Sequence, residues 1–109
     1  MGGTVDVELL VVPGCPGEAA TRDLVRAVLD GSGLSEVGIR TTVIVGPDDA
    51  ATHRFGGSPS VRINGVDPFP SQGAPTLACR LYRTATGLSS IPDPEPIRAL
   101  IAETTTRHH

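Results

Sequence analysis

The sequence predicts a single α/β domain with a mixed central sheet of about four strands and helices flanking it. Three observations carry this. Apolar stretches of strand character alternate along the chain with stretches of helical periodicity, in the order β-α-β-α-β-β-α. Glycine, proline and an Asn-Gly pair punctuate the boundaries between them. The chain has 109 residues, enough for one hydrophobic core and too few for two.

Residues 5–12, VDVELLVV, begin by alternating and end in a continuous apolar run, the pattern of a strand entering a sheet covered on both faces. Residues 17–30 place Ala20, Leu24, Ala27 and Val28 at helical spacing, and Gly-Ser-Gly at 31–33 supplies the stop. Residues 37–45 alternate again, with Val37, Ile39, Val43 and Val45 on one side. A right-handed crossover through the helix makes these two strands parallel. A short helix is expected over 48–55, capped by Asp48 or Asp49 and closed by Gly56 and Gly57. SVRINGVDPF, at 60–69, offers a strand, an Asn64-Gly65 hairpin turn and a return strand cut short by Pro68. TLACRLYR, at 76–83, reads as one more strand or a helical turn. As a strand it turns Cys79 and Leu81 inward and Arg80 and Tyr82 outward. DPEPIRALIAE, at 93–103, is a helix with Asp93 as cap, Pro94 in the first turn and Ile97, Leu100 and Ile101 buried. The polar tail 104–109 is expected to fray.

Composition narrows the function classes. Hydrophobic residues make up 39%, with no Trp, one Tyr and two Phe, so the core is aliphatic. The nine basic residues are all Arg, and they are interspersed with twelve acidic ones to leave a net charge of -3. No basic stripe is present, which argues against nucleic acid or an anionic membrane as partner. The N-terminus lacks a basic n-region and its apolar run breaks at Pro13, so neither a signal peptide nor a membrane span is predicted, and a cytoplasmic location is the expectation. Two cysteines in that compartment read as thiols, metal ligands or a redox couple before they read as a structural staple. His53 reads as a surface residue, and no phosphate-cradling glycine pattern is present.

Three features sit at related places: Cys15 between the first strand and the first helix, GSPS at 57–60 opening the third strand, and the tight hairpin after it. Over roughly residues 5–103 this arrangement resembles the thioredoxin-like superfamily. The resemblance implies that Pro59 forms a cis peptide packed against a reactive cysteine, and that Ser58 presents its backbone to a thiol-bearing partner. More narrowly, GCP at 14–16, GSP at 57–59 and CRLYRT at 79–84 are similar to small bacterial thioredoxin-like proteins described as alkylmercury lyase-like.

Cys15 is the candidate nucleophile. With Pro16 at the first helical position, Cys15 reads as the cap, its sulfur facing unpaired N–H groups and the positive end of the helix dipole, a setting that favours thiolate. The fourth position of a Cys-x-x-Cys motif is Glu18, which excludes a local dithiol and sets a carboxylate against the thiolate. Cys79 is either a core residue or the distant partner of Cys15. Three functions stand open. In the first, Cys15 serves a thiol–disulfide oxidoreductase that requires no cofactor, alone or with Cys79 as resolving thiol. In the second, Cys15 and Cys79 clamp a soft metal, Hg(II) or Cu(I), and Glu18 is the catalytic proton donor to a leaving carbanion. In the third, the fold is a binding module without chemistry and Cys15 is only a small residue at a turn. Ser58, Pro59, Arg80 and Tyr82 are the candidate substrate-binding residues, Arg80 and Arg83 offering charge to the carboxylate of a small thiol. A small thiol or a protein disulfide is the expected partner.

Overall fold

The apolar run near the N-terminus forms β1 (Val7–Val11), and the helical stretch after it forms α1 (Glu18–Gly31). The computed structural model describes residues 5–69, 75–78, 80–84 and 87–106. Its remaining elements are β2 (Ile39–Val43), α2 (Pro47–Thr52), β3 (Ser60–Ile63), β4 (Tyr82–Thr84), β5 (Gly87–Ser89) and α3 (Pro94–Thr106). β1 pairs in parallel with β2, as the crossover requires, and antiparallel with β3, giving a mixed sheet of order β2-β1-β3.

The sheet separates two cores. Val7, Leu9 and Val11 project to one side and pack with Val25, Val28 and Leu29 of α1, Ile97 and Ile101 of α3, and Cys15. Leu10 projects to the other side, onto Ile44, Ala50 and Phe55. Glu8 shares that second side and is paired with Arg40 and Thr42 of β2. β1 is therefore covered on both faces for most of its length, which is why its sequence runs apolar instead of alternating.

Several expectations are corrected. Among the described residues the main sheet has three strands, not about four, because the return strand after Asn64-Gly65 shrinks to one bridge, Ile63 to Val66. Asn64 (φ 50°) and Gly65 (φ 81°) turn the chain tightly, as two successive left-handed residues do in a hairpin, but Pro68 has no N–H with which to continue the ladder. β4 and β5 instead form a separate antiparallel ribbon. In α1 the buried residues are Thr21, Val25, Val28 and Leu29. Ala20 and Ala27 face outward, because the branched residues bury more surface than two methyl groups. Val43, the last residue of β2, and Val45, just beyond it, are 48% and 71% exposed, while Ile44 between them is buried. The cap of α2 is Gly46, with Pro47 in the first turn and the Asp49 carboxylate accepting from Val45 N–H at 3.2 Å. The tail does not fray at 104: α3 continues to Thr106, and Thr104 is buried with its hydroxyl donating to the Leu100 carbonyl. Asp93 caps α3 as expected, its carboxylate accepting from Glu95 N–H at 3.2 Å.

Candidate functional site

Two Pro-Gly turns meet at Cys15. In Val12-Pro13-Gly14-Cys15 the Cys15 N–H donates to the Val12 carbonyl at 3.2 Å, and Gly14 takes φ +71°. Proline second and a left-handed glycine third are what a type II turn requires. In Cys15-Pro16-Gly17-Glu18 the Glu18 N–H donates to the Cys15 carbonyl at 3.3 Å, and Gly17 lies at φ -90°, ψ 0°, the third position of a type I turn. Cys15 thus spends both backbone groups on turns, and its side chain enters the edge of the main core with 9% of its surface exposed. It is not the helix cap. Gly17 holds that place, and Thr21 N–H makes the first helical bond to the Gly17 carbonyl at 3.0 Å.

The opposite wall is the entry to β3. The Ser58–Pro59 peptide is cis, the geometry the resemblance implied for Pro59. Ser58 is tied to the cysteine turn through its hydroxyl, which accepts from Val12 N–H at 3.1 Å. Gly17 completes the join: a Cβ placed there would stand 3.4 Å from the Pro59 ring and 3.2 Å from the Ser90 carbonyl. The glycine is needed for this close approach and not for its dihedral angles.

Arg80 and Tyr82 lie behind this wall, not outside it. The outward placement expected for them is reversed: Arg80 is 8% and Tyr82 3% exposed, while Leu81 is 64% exposed. Their burial follows from the partners they find. The Arg80 guanidinium is paired with Asp67 at 2.7 Å, donates to the Ser60 hydroxyl at 3.1 Å and to the Phe69 carbonyl, and lies 4.7 Å from the centre of the Tyr82 ring. The Tyr82 ring meets Phe69 edge-on at 4.9 Å, and its hydroxyl donates to the Pro59 carbonyl. Burial pushes the Tyr82 phenol well up from its ordinary range; Arg80 opposes this, and Asp67 and the nearby Cys15 add to it. The inward Arg80 has its guanidinium engaged by Asp67, Ser60 and the Phe69 carbonyl, and it holds the wall in place.

Glu18 is half-buried at the start of α1, where its carboxylate pairs with Arg22 at 2.8 Å; Arg22 reaches on to the Thr41 hydroxyl. Cys79 lies outside the described residues, and so does the proposed meeting of the two sulfurs. Among the described residues no group of three or more His, Cys, Asp or Glu side chains converges as a metal site would need. No described helix is long and apolar enough to cross a membrane.

Linear pattern gave no sign of Asp67, Ser60 and Phe69, the partners that bury Arg80. The one available signal was indirect: an arginine inside CRLYR, between apolar residues, needs an acid, and Asp67 precedes it by 13 positions. Comparison of the chain with protein-family models, with curated proteins and with solved structures finds no match.

Proposed function

We propose that this chain is a thioredoxin-like thiol–disulfide oxidoreductase in which Cys15 is the nucleophile. The observation that carries the reading is the joining of two walls around one thiol: the double turn at Cys15 is fastened to Ser58 through Val12 N–H and packed on Pro59 through Gly17. Strand order β2-β1-β3, with parallel and antiparallel neighbours of β1, supports the thioredoxin-like part of the reading. Glu18, occupied by Arg22, supports an exchange that needs no local second group.

In the forward step the Cys15 thiolate attacks one sulfur of a disulfide, the bond between the two substrate sulfurs breaks, and the departing thiolate takes a proton from water. A thiol then attacks the mixed disulfide, restores Cys15 and leaves as the new disulfide. The test is turnover of hydroxyethyl disulfide with glutathione as reductant. Activity is expected to vanish in Cys15→Ser. Retention in Cys79→Ser assigns a monothiol cycle, and loss in Cys79→Ser assigns Cys79 as resolving thiol. Turnover that persists in Cys15→Ser removes the proposal.

A further inference from the structure

The backbone of Ser58, at the entry to β3 and tied to the cysteine turn through Val12, is already paired with the chain itself. Ser58 N–H donates to the Ala78 carbonyl at 3.0 Å, and the Ser58 carbonyl accepts from Arg80 N–H at 2.9 Å. One residue bonded to two positions two apart on its neighbour is the slanted pattern of parallel pairing. The same strap is fixed one step earlier, where Thr76 N–H donates to the Phe55 carbonyl at 3.0 Å. It lies so close that a Cβ on Gly57 would stand 3.0 Å from the Arg80 Cβ and 3.2 Å from the Ala78 carbonyl. At its far end the strap is pinned by the buried Arg80 side chain on Asp67 and Ser60.

From this we infer that the substrates of Cys15 are small thiols and small disulfides, and that extended polypeptides are excluded. The inference rests on Cys15 being the nucleophile and adds the substrate class. A polypeptide held by strand addition derives its affinity from free backbone donors and acceptors on the sheet edge. At Ser58 both are satisfied, and freeing them means pulling the buried Arg80 side chain away from half-buried Asp67 and from Ser60, which leaves its charge without a partner. Cys15 itself is buried, with 9% of the residue exposed. The chemistry is the exchange given above, with the attacked disulfide and the resolving thiol both of low mass.

The test uses the full chain as Cys79→Ser, so that Cys15 is its only thiol, and follows mixed-disulfide formation by intact mass. Hydroxyethyl disulfide and insulin serve as the small and polypeptide probes, each rate being divided by that of a free cysteine peptide with the same probe. The normalised ratio is expected to favour the small disulfide by about tenfold or more. Adding Asp67→Asn, which unpins the strap, is expected to raise the insulin rate and leave the small-disulfide rate within about twofold. An insulin rate equal to the small-disulfide rate overturns the substrate inference and leaves Cys15 as nucleophile. No adduct with either probe overturns the function and the inference together. Hydrogen exchange gives an independent reading: the Ser58 and Arg80 amides are expected to be protected, and exchange at the speed of exposed loop amides overturns the occupied edge whatever Cys15 does.

Discussion

The two walls around Cys15 are held by opposite physics. On the α1 side, Val25, Val28 and Leu29 bury apolar surface against Val7, Leu9 and Val11, and the buried Thr21 hydroxyl oxygen has no hydrogen-bond partner among the described residues. On the Ser58 side the groups are polar and joined: half-buried Asp67 to buried Arg80, Arg80 to Ser60, Ser60 to the Gly57 carbonyl, and Tyr82 to the Pro59 carbonyl. Apolar packing fixes a thiol in place without directional demands, whereas a network of paired charges fixes backbone atoms at stated positions. The cysteine needs only the former. The strap is held by the latter, and with it the Ser58 backbone stays bonded to Ala78 and Arg80.

Substitutions separate the two walls. Leu29→Ala is expected to cost the most, about 3 to 4 kcal/mol by thermal or denaturant unfolding, since Leu29 is fully buried and its removal leaves a cavity. Arg80→Ala is expected to cost about 3 kcal/mol, mainly by leaving Asp67 without its partner. The walls differ in what repairs them. Arg80→Met with Asp67→Leu is expected to recover most of the Arg80→Ala loss, because removing both charges removes the unpaired one. A single Arg80→Ala loss below about 1 kcal/mol would erase the distinction.

Smaller effects sharpen it. Tyr82→Phe is expected to cost about 1 kcal/mol, the net worth of its bond to the Pro59 carbonyl. Thr21→Val is expected to gain up to about 1 kcal/mol, because the unpaired hydroxyl is replaced by a methyl of the same shape.

Tyr82 also sets a pH signature, readable because it is the only tyrosine in the chain. Burial favours the neutral phenol, so the folded group ionises at higher pH than the unfolded one. Its contribution to stability is complete below about pH 10, the unfolded value, and is lost as pH rises beyond it. Unfolding free energy is therefore expected to fall with alkali in the native sequence and to fall less steeply in Tyr82→Phe. Phenolate absorbance is expected to rise with unfolding; a simple titration centred near pH 10 in the folded protein would contradict the buried placement.

The apolar wall was legible in the sequence and the polar wall was not. β1, α1 and α3 are specified by residues a few positions apart, and the V-P-G-C-P-G run names both of its turns. The phase of α1 shifted because alanines and branched residues count alike in a periodic pattern but not in buried area. The placement of Arg80 and Tyr82 depends on Asp67, Ser60, Pro59 and Phe69, which lie 11 to 23 positions from their partners. Alternation within CRLYR put the leucine inside because it is apolar; the network reversed this by giving the arginine and tyrosine better partners than water. The ribbon of β4 and β5 was hidden for the same reason, since its inward residue is that tyrosine.

The most direct measurement compares Cys15 with itself. In the Cys79→Ser chain, the rate of mixed-disulfide formation with hydroxyethyl disulfide is measured in the folded protein and again in urea, at one pH. A thiol held in a working site is expected to react at least as fast folded as unfolded. Reaction about tenfold or more slower in the folded protein would mark Cys15 as an inert core residue and contradict its role as nucleophile.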